Sequence, residues 1–148
     1  MKMSADVFTR TKRRQIMQAV RREDTRPELL LAKALRRAGV SFLRHPPHLP
    51  GRPDLYLPDA RLAVFVHGCF WHGHEKCRKG RQRPKSNRRY WEEKIERNKR
   101  RDRRVARRLR AEALSVFTIW ECELRSGRVP CRLIARLRNR RAPLPSPT

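Results

Sequence analysis

Leu62–Val66, five consecutive apolar residues, runs without a break into His67-Gly68-Cys69-Phe70-Trp71-His72-Gly73-His74, a string dense in imidazole, thiol and aromatic side chains. A short continuous apolar run suits a strand buried on both faces, in the interior of a sheet. The string that follows then leaves the end of that strand as a loop. This arrangement constrains the rest of the chain, because the remaining apolar segments must cover both faces of one sheet.

The neighbouring segments can do so. Thr25-Arg26-Pro27-Glu28 has the T-x-x-E form of a capping box with proline in the first turn. It predicts a helix that carries Leu29, Leu30, Ala34 and Leu35 and stops at Gly39. Ser41–Arg44 and Asp54–Leu57 read as short strands, separated by a proline-rich loop from His45 to Pro53, and Pro58–Ala60 reads as a turn. A long helix is expected from Tyr90 to Leu114, a strand over Val116–Trp120 and a short helix over Val129–Leu137. Thr11–Arg21 has the pattern of a basic helix. The expectation is an α/β fold, a mixed β-sheet flanked by helices: a flexible arm over residues 1–10, one domain over 11–138, and a disordered tail over 139–148.

Composition sets the partner. The chain has 148 residues, of which 38% are hydrophobic, and a formal charge of +25. That is enough apolar material for one modest core, and no run approaches the ~20 residues of a membrane span. No signal-peptide pattern opens the chain, so an intracellular protein without a membrane role is expected. Arg78–Arg110 holds 17 Lys+Arg against 4 Asp+Glu, over half of the net charge in under a quarter of the chain. The first part of this stretch, Arg78–Arg89, reads as an exposed loop. Such charge predicts a nucleic-acid partner and salt-sensitive binding without sequence preference.

Three constellations carry chemistry. Cys69, His74 and Cys77 lie within nine residues and have the donor types and spacing of a structural zinc site. Cys122 and Cys131 are both candidates for the fourth ligand. Cys122 comes near Cys69 if the Val116–Trp120 strand lies beside Leu62–Val66. Within the long helix, Trp91, Ile95, Asn98, Asp102, Val105 and Leu109 form one inward stripe, interrupted at its centre by Asn98 and Asp102. A carboxylate facing a core needs a partner, so Asp102 meets either an arginine or one of the spare imidazoles, His67 or His72. Asp54, after the stiff Pro50-Gly51-Arg52-Pro53 turn, is either a turn residue or a carboxylate for Mg²⁺ beside the backbone of Val66 and His67. Glu28 has the plain reading of the capping-box partner of Thr25.

Pro50–Asp54, the His67–His74 string, Tyr90-Trp91 through Asn98 and Asp102, and Trp120-Glu121-Cys122 occur in the order found in the very short patch repair (Vsr) endonucleases, which the chain resembles over roughly residues 11–125. The resemblance implies a restriction-endonuclease-like fold with a structural zinc. It implies an enzyme that nicks one strand on the 5′ side of the thymine in T:G mismatches left by 5-methylcytosine deamination. Carried over residue by residue, Asp54 and the Val66 carbonyl hold Mg²⁺, and His72 is the general base supported by His67, Glu28 and Asp102. Cys69, His74, Cys77 and Cys122 hold Zn²⁺, and Phe70, Trp71, Trp91, Met17 and Asn98 meet the DNA. The implied partners are double-stranded DNA with a T:G mismatch, other mismatch-repair proteins and a DNA polymerase. The implied setting is a monomer on the nucleoid of a bacterial cytoplasm. His74-Glu75-Lys76-Cys77 is one residue longer than the family's usual spacing, and Val66 stands where a threonine can occur. The alternatives are a restriction-type nuclease of the same fold and a non-catalytic basic zinc module that coats DNA. A restriction nuclease would favour a second carboxylate and a lysine on Leu62–Val66, which has neither. The module gives no reason for Asp54, His67, His72 and Asp102 to converge.

Overall fold

The computed structural model describes Thr9, Thr11, Lys12, Arg14, Gln15 and residues 23–140, with Arg140 described by its backbone alone. Met17, most of the expected arm and residues 141–148 lie outside the described residues. Thr11, Lys12, Arg14 and Gln15 are helical, as the basic pattern predicts.

Strands β1 (Leu43–Arg44), β2 (Leu55–Leu57), β3 (Leu62–His67) and β4 (Ser115–Trp120) form one mixed sheet in the order β1-β2-β3-β4. The first two pairings are antiparallel, and β3 and β4 are parallel with His67 opposite Trp120. Helix α1 (Arg26–Arg37) precedes the sheet. A single turn of helix, α2 (Arg78–Arg81), and the 24-residue α3 (Arg88–Ala111) connect β3 to β4, and α4 (Cys131–Arg140) closes the described chain. Pro58–Ala60 and Glu121–Leu124 are short 3₁₀ turns.

The alternation of β3 explains why its apolar run is continuous. Leu62 and Val64 pack with Leu31 and Leu35 of α1, Leu55 and Leu57 of β2, Ile119 of β4 and Leu133 of α4. Ala63 and Phe65 face the other way, where Leu109 and Val105 of α3 and Val116 of β4 cover them. Both faces are therefore buried, the sheet is flanked by helices, and the expected α/β architecture holds. His67 continues the Ala63–Phe65 parity and emerges under the middle of α3.

Several boundaries differ from the sequence reading. Arg78–Arg89 is not all loop: the Cys77 thiol accepts a hydrogen bond from the Gly80 amide at 3.4 Å and starts α2. Helix α4 continues to Arg140, past the expected end at Leu137, so residues 139 and 140, assigned to the tail, are helical. The capping box is also altered. The Thr25 hydroxyl donates to Glu28 Oε1 at 2.8 Å instead of capping an amide, and Glu28 Oε2 accepts from the Asp24 amide at 3.0 Å. Glu28 is only 4% exposed. Among the described residues, no helix is long and apolar enough to cross a membrane.

Leu35 is fully buried where α1 meets β2, β3 and β4. Leu35→Ala should lower stability by about 2–5 kcal/mol, the usual effect of truncating a buried leucine. Urea unfolding followed by circular dichroism measures it, and a change under ~1 kcal/mol would show that this face of the sheet is not the main core.

Candidate active site and metal centre

The parallel pairing of β3 and β4 brings the residues after both strands to one end of the sheet. Cys69 and Cys122 each lie two residues beyond the His67–Trp120 pair and meet there. Cys69, His74, Cys77 and Cys122 offer ligand atoms that all lie within 4.8 Å of one another. His74 Nδ1 is 3.5 Å from both the Cys69 and the Cys122 sulfurs. With the usual Zn–S and Zn–N bonds, a tetrahedral site sets S···N at ~3.6 Å. The donor set thus fits a closed four-coordinate metal site. The extra residue between His74 and Cys77 does not prevent closure. Cys131 is exposed at the start of α4 and is no member of the cluster.

The loop is wound tightly around these ligands. His74 donates its amide to the Cys69 carbonyl at 2.9 Å, and its ring stacks on Trp120 with centroids 4.2 Å apart. Gly80 is needed for this packing: a Cβ there would lie 2.1 Å from the His74 carbonyl oxygen. Burial lowers the His74 pKa and raises that of Cys69 to about 12, so the free thiol is held protonated until a cation displaces the proton.

The other side of the same loop carries His72. Its Nδ1 lies 2.6 Å from Asp102 Oδ2, and the ring stacks face to face on His67 at 3.8 Å. Asp102 therefore meets a histidine, the second of the two readings, while Arg101 lies 3.6 Å from its other oxygen. Asn98, one turn earlier on the inward stripe, donates its side-chain amide to the Trp71 carbonyl at 2.8 Å and ties α3 to the loop. Burial tends to raise the Asp102 pKa. The His72 hydrogen bond and the charges of His72, His67 and Arg101 outweigh it and leave the carboxyl below its ordinary value. Burial, reinforced by His72, pushes His67 down to about 3, which keeps it neutral.

Asp54 ends the turn before β2. Its Oδ2 accepts the Val66 amide at 2.6 Å, as the size of the β2–β3 hairpin suggests. Gly51 lets this turn press on α3: its φ is +71°, and a Cβ would sit 2.2 Å from a Val105 methyl carbon. Among the described residues, no cation lies within ion-pair distance of Asp54. Burial, with the nearby Glu28 and Glu23 charges, raises its pKa to about 7 despite the Val66 bond. A buried carboxylate in that condition suits a divalent cation. Asp54, Val66, Glu28, His67, His72, Asp102 and Trp71 line one open cleft of ≈ 550 Å³.

Trp71, on the cleft wall, clusters with Phe70, Trp91 and Tyr90, with ring centroids 5.3 to 5.8 Å apart, and Lys94 Nζ sits 5.4 to 5.7 Å from three of the rings. Tyr90 is 49% exposed. The sequence reading missed His45, Arg101 and Glu121. His45 Nε2 lies 3.4 Å from Glu28 and 3.6 Å from Asp24, and its amide donates to the Asp54 carbonyl. Its signal, one imidazole before a proline-rich loop, is weak. Arg101 and Glu121 line the cleft, and Glu121 pairs with Lys79.

A hydrogen-bonded imidazole and a cation-seeking carboxylate in one cleft, under a strongly basic helix, are what hydrolysis of a polyanionic ester requires, so the site is of the nuclease class. Residues 5–79 match the protein family described as DNA mismatch endonuclease Vsr. The chain is 47% identical over 134 residues to the type II nicking enzyme V.XorIIP of Xanthomonas oryzae pv. oryzae, covering 90% of this chain and 95% of that one. It is 40% identical over 121 residues to the DNA mismatch endonuclease Vsr of Escherichia coli, covering 82% and 76%. It is 39% identical over 127 residues to the type II nicking enzyme V.NmeAIP of Neisseria meningitidis, covering 86% and 89%. The chain belongs to the Vsr family of endonucleases, and DNA is its substrate.

The raised Asp54 pKa makes a linkage prediction. The folded protein holds a proton that the unfolded chain releases near the ordinary carboxylate value. Stability from this group is therefore complete below about pH 4 and lost as pH rises toward 7. Without added divalent cation, Asp54→Asn should gain stability relative to the native protein between about pH 5 and pH 8 in urea unfolding. A constant difference between the two proteins would refute the raised value.

Proposed function

We propose that this endonuclease nicks one strand of duplex DNA on the 5′ side of the thymine in T:G mismatches, the lesion that 5-methylcytosine deamination leaves, and so opens very short patch repair. The observation that carries the reading is a single cleft holding Asp54, His67, His72 and Asp102 directly beside the Phe70–Trp71–Trp91 rings. The family of the chain, and the name of its Escherichia coli relative, support the mismatch as the target.

Asp54 with the Val66 carbonyl would hold Mg²⁺, which supplies charge stabilisation at the scissile phosphate and a more acidic water. His72 then takes the proton. With Nδ1 engaged by Asp102, the ring is held in the tautomer that leaves Nε2 free as a base, and Asp102 stabilises the imidazolium that forms. The water oxygen bonds to phosphorus as the bond from phosphorus to the leaving sugar oxygen on the 5′ side of the thymine breaks, and that oxygen takes up a proton from solvent. Stacked His67, kept neutral, supports the His72 ring without opposing its positive charge. Glu28 closes the cleft wall next to Asp54. Phe70, Trp71 and Trp91 would enter the duplex at the wobble pair, where unstacking costs less than in matched DNA. Met17 would contribute from the N-terminal segment, and Asn98 would act by fixing the Trp71 loop. In this reading Zn²⁺ in the Cys69–His74–Cys77–Cys122 cluster fixes that loop, the enzyme works as a monomer on nucleoid DNA, and mismatch-repair proteins and a polymerase complete the repair.

Relatives named as type II nicking enzymes favour a second reading, a restriction-type nuclease of the same fold that cuts matched DNA. One assay separates the readings: a labelled duplex with T:G in a 5′-CT(A/T)GG-type context against its matched C:G counterpart, with and without Mg²⁺. Nicking of the T:G strand alone, dependent on Mg²⁺, is expected, and equal cutting of both duplexes would end the mismatch reading. In the same assay His72→Ala should nick about 10²- to 10⁴-fold more slowly while retaining binding. An unchanged rate would remove His72 from the chemistry.

Metal analysis of purified protein should find one zinc per chain. Cys122→Ser should lose metal and melt at a lower temperature, and Cys131→Ser should change neither. The reverse result would move the fourth ligand to Cys131.

A further inference from the structure

On helix α3, Arg88 pairs with Glu92, Arg89 with Glu93, and Arg100 and Arg103 with Glu96. Arg107 and Arg110 have no carboxylate within ion-pair distance among the described residues, and neither do most members of one stripe that leads from the cleft. Arg97, Arg101, Arg104 and Arg108 recur at i, i+4, i+7 and i+11, the spacing of a straight line down one helix face, and all four are exposed. Among the described residues no carboxylate lies within ion-pair distance of Arg97, Arg104 or Arg108, and Arg101 has only the 3.6 Å approach to Asp102. Like charges at i+4 destabilise a helix, so the stripe weakens the free protein.

Its position gives it a use. Arg101 lines the lip of the catalytic cleft. Arg97 precedes it on the side of the aromatic cluster, and Arg104 and Arg108 lead away from both. At 1.5 Å per residue the stripe spans ~16 Å, about five base-pair steps of duplex. Resting on the reading that this cleft cuts duplex DNA, we infer that Arg97, Arg101, Arg104 and Arg108 form a phosphate rail for one flank of the substrate. Arg101 sets its register at the cleft, and Arg104 and Arg108 grip phosphates beyond the nick. The occupant is the flank of the same duplex, since a fork of unpaired guanidinium groups suits phosphate oxygens and the cleft already orients the strand. Arg107 and Arg110 lie off this stripe by helical spacing, although Arg104 borders the same hollow near Thr118 of β4, and they serve as the comparison.

The test measures equilibrium binding by the full-length protein, without added divalent cation, to matched and T:G duplexes that are long on both sides or cut to three base pairs on one side. For R104A/R108A the slope of log affinity against log salt should be shallower by about 1.8, or about 0.9 for each phosphate that is no longer neutralised. Shortening one particular flank should weaken native protein and R107A/R110A, and should leave R104A/R108A unaffected. The melting temperature of R104A/R108A should equal or exceed that of the native protein, because like-charge repulsion is relieved. An unchanged salt slope with native flank dependence would overturn the rail, as would the same loss in R107A/R110A or a lowered melting temperature in R104A/R108A. Loss of T:G preference in the nicking assay would sink the mismatch reading alone, because the rail is read from binding to either duplex.

Discussion

Parallel pairing of β3 with β4 fixes where everything else can be. Parallel strands end at the same edge of a sheet, so groups that follow each strand converge there. With His67 opposite Trp120, Cys69 and Cys122 are brought together and His74 folds back onto the Trp120 ring. Had β4 run the other way, Cys122 would lie about 20 Å off, the length of a six-residue strand. Parallel pairing also demands a long crossover between the strands, and α3 supplies it. That helix must cross the face bearing Ala63, Phe65 and His67, which places Asp102 over the two imidazoles. One choice of strand direction thus builds both the cysteine cluster and the histidine–aspartate pair.

The segment between β3 and α3 divides its work residue by residue. Cys69, His74 and Cys77 turn toward Cys122, His72 turns toward Asp102, and Phe70 and Trp71 turn toward Trp91. Apart from glycines, only Cys69 and His74 are strongly buried there, so the segment has almost no core of its own. Four sulfur and nitrogen donors at tetrahedral spacing can supply the missing rigidity, and Gly80 lets α2 close over them. Opposite burial effects then set protonation across the cleft: Asp54 keeps a proton to about pH 7, and His67 refuses one until about pH 3.

How much of this the sequence discloses depends on whether a feature is periodic. The β3 run, the inward stripe of α3 from Ile95 to Leu109 and the Cys69–His74–Cys77 spacing could all be read, because burial imposes a repeat and metal ligands impose short separations. The Asp54–Val66 bond followed from the hairpin's size. What could not be read was set by irregular backbone. Glu28 looks like a surface cap, yet the chain before α1, with Asp24 at a φ of +57°, folds so that its carboxylate is buried beside His45. His45 itself has a φ of +45°, which no local pattern announces. The turn of helix at Arg78–Arg81 has a thiol as its cap, the Cys77 sulfur that also belongs to the cluster, and cysteine is not among the residues that announce a helix start.

Several features of this protein are unfavourable to it in isolation, and they lie around one opening. Among the described residues Asp54 is a buried carboxyl with no cation at ion-pair distance, Tyr90 and its neighbouring rings stand partly in water, and the Arg97–Arg108 stripe has no acidic partner beyond the approach of Arg101 to Asp102. Elsewhere the same chain avoids such costs: Arg132 forks onto Glu123 and bonds the Thr118 carbonyl on the open edge of β4, and Arg44 pairs with Asp24. Apolar side chains such as Leu29, Leu43 and Ile134 are also exposed away from the cleft, but only around the cleft do a buried carboxyl, exposed rings and unpaired arginines occur together among the described residues. In the proposed reading a divalent cation would relieve Asp54, stacked bases would cover the rings, and phosphates would neutralise the guanidinium groups. The three features are of different physical kinds, and metal-loaded duplex DNA would correct all of them at once, which a solubilising excess of arginine would not explain.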